Sequence, residues 1–161
     1  MRRDTNQGRT PIAGLRFRQT PAGITTGTSI KTLLQILAAT NQCVKVSEVS
    51  VSFNGTSNTA TPILCEVLKQ TSAGTFSNTT TLVKDDASRA ETIQTVGKDT
   101  ASAEPTDSGA VQILEYVHPQ TGWLWQAPFG GELFVIGAGR LGLRVTAAAS
   151  VTAGARLVGE E

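Results

Sequence analysis

The residues that could carry acid–base chemistry are few. His118 is the only histidine in the chain, and it lies between Val117 and Pro119 in a predicted turn with no nucleophile-elbow motif beside it. The carboxylates that could act in pairs fall in an irregular segment that is poorly suited to hold two groups at catalytic distance. They are Asp85, Asp86, Glu91, Asp99, Glu104 and Asp107. We therefore predict no catalytic residue and a protein that is not an enzyme.

Two further patterns resemble ligand sites only in outline. Asp85, Asp86 and Glu91 offer oxygen atoms to a hard cation, but their spacing matches no EF-hand and lacks its glycine. Residues 137–142, GAGRLG, carry the glycines of a dinucleotide fold, yet they join two predicted strands instead of opening a helix. The sequence thus predicts neither a metal site nor a cofactor.

Three aromatic residues are candidates for a ligand or interface surface. Trp123 and Trp125 lie two residues apart, so on a strand they share a face, and with Tyr116 they could stack on sugar rings or bases. We favour packing in the core or in an interface, because no basic groove is apparent nearby.

Positive charge is concentrated at the beginning of the chain. The first 18 residues hold five arginines and one aspartate, a net charge of +4, whereas the whole chain carries only +1. These arginines are Arg2, Arg3, Arg9, Arg16 and Arg18. Their segment predicts an extended basic arm that contacts an anionic surface or remains solvated. Because the net charge of the whole chain is close to zero, we expect no binding to nucleic acid or to a membrane.

The rest of the chain has the pattern of a β protein. Residues 44–55, VKVSEVSVSFNG, alternate apolar and polar side chains and end in Asn-Gly, which predicts a strand entering a tight hairpin turn. The apolar positions change parity within this run, which predicts a β-bulge near Glu48. Residues 29–39 also match a helical stripe, but the turn-forming residues on both sides favour a strand.

Strand signals recur along the remainder of the chain. Residues 63–70 are apolar on both faces, so we expect the second face to be covered by a loop or by a neighbouring subunit. Residues 71–74 predict a hairpin turn, and residues 84–109 predict an irregular surface excursion that packs on a neighbour. Cys43 and Cys65 lack metal spacing, and we favour two buried thiols over a disulfide.

These patterns predict an all-β protein with eight or nine strands in an antiparallel, jelly-roll-like β-sandwich with an extended N-terminal arm. The predicted domains are the arm, residues 1–28, and a single sandwich, residues 29–161. Removal of residues 1–18 is expected to leave the sandwich folded.

Several strings resemble small structural proteins of tailed bacteriophages, the capsid decoration or cement proteins. The strings are AATNQCVKVSEVSVSFNG ending at Gly55, YVHPQ from Tyr116, QAPFG from Gln126, GRLGLRVTA from Gly139 and LVGEE from Leu157. The resemblance covers about residue 30 to the end of the sequence.

The resemblance implies a jelly-roll protein, often a homotrimer, on the capsid exterior of a virion assembled in the host cytoplasm. It implies the major capsid protein as partner, with the arm arginines as capsid contacts, and it assigns no active residue. The alternative is a carbohydrate- or receptor-binding module of a phage head fibre or tail that uses Tyr116, Trp123 and Trp125.

Overall fold

The computed structural model describes residues 14–161, which form thirteen strands and no helix. The described residues accordingly contain no helix that could span a membrane. The strands are β1 Arg16–Gln19, β2 Ile24–Thr25, β3 Ile30–Leu37, β4 Cys43–Phe53, β5 Ile63–Gln70, β6 Thr75–Thr80, β7 Val83–Lys84, β8 Val96–Ala103, β9 Asp107–Val117, β10 Gly122–Gln126, β11 Leu133–Ile136, β12 Arg140–Thr146 and β13 Thr152–Glu160.

The strands form two antiparallel sheets that pack face to face. Sheet A has seven strands in the order β10-β4-β13-β1-β7, with β11 also paired to β4 and β2 to β13. Sheet B has six strands in the order β6-β8-β3-β12-β5-β9. The fold is therefore the predicted jelly-roll-like β-sandwich.

One apolar core fills the space between the sheets. It takes Val49, Val51 and Leu157 from sheet A and Leu34, Leu141 and Leu143 from sheet B, all of them fully or almost fully buried. Burial of a valine or leucine side chain contributes roughly 1.5–3 kcal/mol, so this layer is the main source of stability.

Two β-bulges explain irregular sequence patterns. Between β4 and β13 the register passes from Glu48 to Val46 and skips Ser47, which confirms the bulge predicted near Glu48. Between β3 and β12 the register skips Leu33, so Leu33 and Leu34 are both buried. An extra residue shifts the parity of a strand, and this shift produced the helix-like spacing of leucines in β3.

The sandwich begins earlier than the sequence predicted. β1 pairs with β13 on one side and with β7 on the other, and its Phe17 is fully buried in the core. Ile24 of β2 is buried as well. Residues 16–19 and 24–25, assigned to the arm by sequence, are therefore integral to sheet A, because alternate apolar residues on even a short strand can fill a gap in the core.

Three connections differ from the predicted turns. Asn54-Gly55 does not close a hairpin, since β4 and β5 belong to different sheets; the Asn54 side chain instead accepts a hydrogen bond from Thr152 N at 2.8 Å. Residues 71–74 link strands on opposite sides of sheet B. The segment 84–109, predicted to be irregular, contains β8 and the start of β9.

The second face of β5 is covered by the chain itself. The connections from β5 to β6 and from β8 to β9 both cross sheet B, and Thr71 N donates to Thr106 O at 2.8 Å between them. Gln35 Nε2 donates to Gln70 Oε1 at 2.7 Å beneath these crossings. A Cβ at Gly142 would lie 2.5 Å from Gln70 Oε1, so only glycine leaves room for that side chain.

The two cysteines occupy different environments. Cys65 is buried in the core, and burial is the main cause that raises its pKa to about 12, with Glu115 and Glu66 adding to the effect. Cys43 is exposed, so the prediction of two buried thiols is wrong for Cys43. Both thiols are free.

A buried carboxylate joins the two sheets at one edge. Asp99 accepts hydrogen bonds from Asn78 and Thr80, and Gln19 of sheet A donates to Thr80 Oγ1 at 3.3 Å. Burial alone would raise the pKa of Asp99, but the hydrogen bonds from Thr80, Asn78 and Thr100 outweigh it and hold the pKa below its ordinary value.

Two truncations test where the folded domain begins. Removal of residues 1–13 is expected to leave the free energy of unfolding nearly unchanged, whereas removal of residues 1–18 deletes Leu15 and Phe17 from the interior and should strongly destabilise the domain. Phe17→Ala should cost about 3–5 kcal/mol, and the exposed neighbour Arg18→Ala about 0.5 kcal/mol or less. Urea denaturation followed by tryptophan fluorescence measures both. Equal stability of the two truncations would contradict the placement of β1.

Acid sensitivity tests the Asp99 cluster. A lowered folded-state pKa contributes stability that is present above the unfolded value of about 3.9 and is lost as pH falls through the folded value. Asp99→Asn should therefore be less stable by about 1–3 kcal/mol at pH 7, and the difference should shrink in strong acid. Denaturant titrations across pH, with the exposed Glu115→Gln as control, check this. A constant difference at every pH would contradict it.

Candidate docking surface

The two outer faces of the sandwich differ in how they are covered. On sheet B, Thr32, Gln35 and Leu68 are buried although they point away from the core. The corresponding side of sheet A stays open. We call it the open face, and it is defined by Arg16, Arg18, Lys45, Leu124, Phe134 and Ile136.

Strand register places the open-face residues in rows. Arg16 lies opposite Glu160, Glu160 opposite Lys45, and Lys45 opposite Phe134, so all four point to the same side. At about 4.8 Å between strands, Arg16 and Phe134 are about 14 Å apart. The open face therefore combines charged and apolar side chains within the reach of one protein partner.

Large apolar side chains are exposed along one edge of this face. Leu124 is 52% exposed, Phe134 45% and Ile136 68%. The sequence does contain a signal for this exposure. Residues 133–136 are all apolar, and a strand of this kind at a sheet edge must direct alternate side chains outward. Phe134 and Ile136 are neighbours on β11, whereas Leu124 lies about 16 Å farther along β4. Adjacent exposed apolar residues such as Phe134 and Ile136 mark interaction sites on proteins.

The two described arginines of the predicted arm are already paired. Arg16 Nε lies 3.2 Å and Arg18 Nε 2.8 Å from the carboxylate of Asp85, which follows β7. Both arginine side chains are about half exposed. Asp85 thus offsets part of their charge and holds them on the open face. Arg2, Arg3 and Arg9 lie outside the described residues.

The three aromatic candidates do not form a common surface. Trp123 and Trp125 pair with Val51 and Val49 and pack against the core. Tyr116 lies on sheet B opposite Leu64, points away from the core and is 69% exposed. The tryptophans therefore stabilise the sandwich, in line with the favoured packing interpretation.

β9 is a long edge strand of sheet B. Its 11 residues pair with β5 on one side, and no strand among residues 14–161 pairs on the other. Two bulges interrupt the strand before Ile113, and bulges are one way in which proteins protect edges. Its regular part, residues 113–117, contains neither proline nor lysine, and Leu114 is half exposed there beside Tyr116. It could accept another strand.

The part of the chain that the structure describes holds no organised metal site. No group of three or more His, Cys, Asp or Glu side chains is placed to hold a metal ion there. His118 takes part in a turn, where its Nδ1 accepts a hydrogen bond from Gln120 N at 3.3 Å.

Comparison with protein-family models, with curated proteins and with solved structures finds no match for this chain. Any functional proposal therefore depends on the geometry of the open face and of the unpaired edge of β9.

The Asp85 pairs should matter little for stability. Asp85→Asn leaves two half-exposed arginines unpaired, and surface pairs are worth about 0–1 kcal/mol. The matched substitution Glu66→Gln removes a charged partner 2.9 Å from the largely buried Arg144, which keeps its pair with Asp107, and should cost about 1–3 kcal/mol. Chemical denaturation of both variants gives the comparison. A larger loss from Asp85→Asn would mean that these pairs hold β1 in place.

Proposed function

We propose that this protein is a structural component of a tailed-phage head. It binds the outside of the shell and cements neighbouring major capsid protein subunits. The observation that carries the proposal is the open face, where the exposed Phe134 and Ile136 lie on the same side of sheet A as two half-exposed arginines. On sheet B the connections cover the middle of the outer face, and Leu114 and Tyr116 are exposed at the β9 edge. The sequence resemblance to decoration proteins supports the same function.

Binding of this kind would stabilise a shell through mass action. A ligand that binds only the assembled form stabilises it by RT ln(1 + [L]/Kd), which is about 2.7 kcal/mol when the ligand is at 100 times its Kd. A protein that spans two capsid subunits adds this energy to the contact between them. The protein therefore needs only a surface complementary to the shell.

The sequence before β1 is basic. Arg2, Arg3 and Arg9 precede β1, which lies on the open face through Arg16 and Arg18. Arginine donates bidentate hydrogen bonds to carboxylates, so these side chains would contact acidic groups or backbone oxygens of the capsid protein.

The protein would act as a homotrimer on the capsid exterior. The edge strand β9 offers unpaired backbone groups along its regular part, residues 113–117, over about 17 Å for contact between copies. Three linked copies would convert weak shell contacts into tight binding through avidity. No cofactor is required, and synthesis would take place in the host cytoplasm before assembly into the virion.

Shell binding can be tested with the full-length protein. Head shells assembled from the major capsid protein of the same genome are mixed with it, sedimented, and assayed for bound copies. Ile136→Ser and Phe134→Ser should each weaken binding about tenfold or more, since burial of a large apolar side chain is worth roughly 1.5–3 kcal/mol. Removal of residues 1–13 should weaken binding. The remaining binding should be less sensitive to salt than that of the full-length protein, because three arginines are lost.

The matched control is Val96→Ser, which changes an exposed aliphatic residue on sheet B. It should leave shell occupancy unchanged. Equal occupancy of the wild type and both open-face variants would rule out the open face as the contact, and failure of the wild type to bind would refute the proposed function.

A further inference from the structure

A cleft opens at the end of the sandwich where β4 ends and β13 begins. Its volume is about 620 Å³, within the range of sites that hold small ligands. Its walls are residues 54–61, residues 148–152 and the turn that contains Pro119, and Thr25 lies at its rim. Ile63 contributes a buried apolar surface.

The lining is rich in hydroxyl groups and free of charge. No Asp, Glu, Lys, Arg or His side chain is among the described residues that line the cleft. Several hydroxyl groups there make no hydrogen bond to another described residue, so each can still donate one bond and accept two. They belong to Thr25, Thr56, Thr61 and Ser150.

The walls of the cleft are fixed by hydrogen bonds between them. Thr152 N donates to Asn54 Oδ1 at 2.8 Å, and Asn54 N donates to Thr152 O at 3.1 Å. Gly55 N donates to Pro119 O at 2.8 Å, and Gln120 Nε2 donates to Thr56 O at 2.7 Å. A cleft held in this way loses little conformational entropy when a ligand enters.

The same bonds restrict the kind of ligand. A peptide that adds a strand needs a row of free backbone N–H and C=O groups, but the N–H groups of Asn54 and Gly55 and both backbone groups of Thr152 are already bonded. A charged ligand finds no ion partner. The groups that remain are side-chain hydroxyls beside small apolar surfaces, contributed by Ala149 and Val151 among others. A sugar, with hydroxyls at its edges and C–H groups on its faces, matches this set.

We propose that this cleft is a binding site for a neutral oligosaccharide. The site lies at the end of the sandwich and uses none of the residues that define the open face, so it does not depend on shell binding. The cleft lacks the aromatic platform of tight sugar sites, so we expect a Kd of about 1 mM, or roughly −4 kcal/mol.

Amide chemical shifts of the ¹⁵N-labelled full chain provide the test. Maltotriose, cellotriose and N-acetylchitotriose are titrated separately to about 20 mM, well above the expected Kd. At least one should shift the amides of Gly55, Thr61 and Ser150 in a saturable way. Thr61→Val and Ser150→Ala should each weaken that binding about 2–10-fold, the value of one hydrogen bond. Ala149→Trp, which fills the cleft, should abolish it.

Thr106→Val is the matched control, because Thr106 is exposed outside the cleft and its hydroxyl makes no hydrogen bond to a described residue. It should bind like the wild type, and the spectra also show whether each variant is folded. Three results would overturn the proposal: no shift at the cleft with any of the sugars, binding unaffected by Ala149→Trp, or the same shifts with a neutral tripeptide such as Thr-Ser-Thr. Sugar binding without shell binding would refute the proposed function alone.

Discussion

Burial of one apolar face from each sheet is the constraint on which the rest of the structure depends. Neither sheet can exclude water from that face by itself, so the two must pack together. The bulges at Ser47 and Leu33 serve this requirement, because they restore inward-facing side chains after the apolar parity changes. β1 meets the same requirement, because its Phe17 fills the core near the edge of sheet A.

The outer faces of the two sheets are then free to differ in the side chains that they expose. The connections from β5 to β6 and from β8 to β9 both lie against sheet B. Beside β3 the Glu104 carboxylate takes the place of a neighbouring strand and accepts hydrogen bonds from Thr32 N at 2.9 and 3.0 Å. The buried polar groups on that face are paired largely within the chain. The opposite face receives no crossing and keeps apolar and charged residues available to a partner.

The polar groups that are buried have structural tasks. Asp99 joins β6 and β8 and contacts Gln19 of sheet A through Thr80, while Arg144 links β12 to Glu66 of β5 and to Asp107 at the start of β9. These groups are satisfied by neighbours within the fold.

The sequence alone determined the fold class and most strands. The predicted strand at residues 63–70 is β5, and the strand predicted within residues 44–55 is β4 apart from one residue at its start. Alternation along a strand is a local property, so it can be read from one segment at a time. The same local reading accounts for the bulge near Glu48 and for the strand assignment of residues 29–39.

Only the tertiary structure decided which strands pair and which surfaces remain open. Asn54-Gly55 and residues 71–74 looked like hairpin turns, but the adjoining strands found partners far along the chain, and pairing of distant strands leaves no local signature. The cleft, the covered face of sheet B and the exposure of Phe134 and Ile136 follow from those pairings. They depend on which distant segments meet, because the free energy that selects a partner strand comes from the whole core.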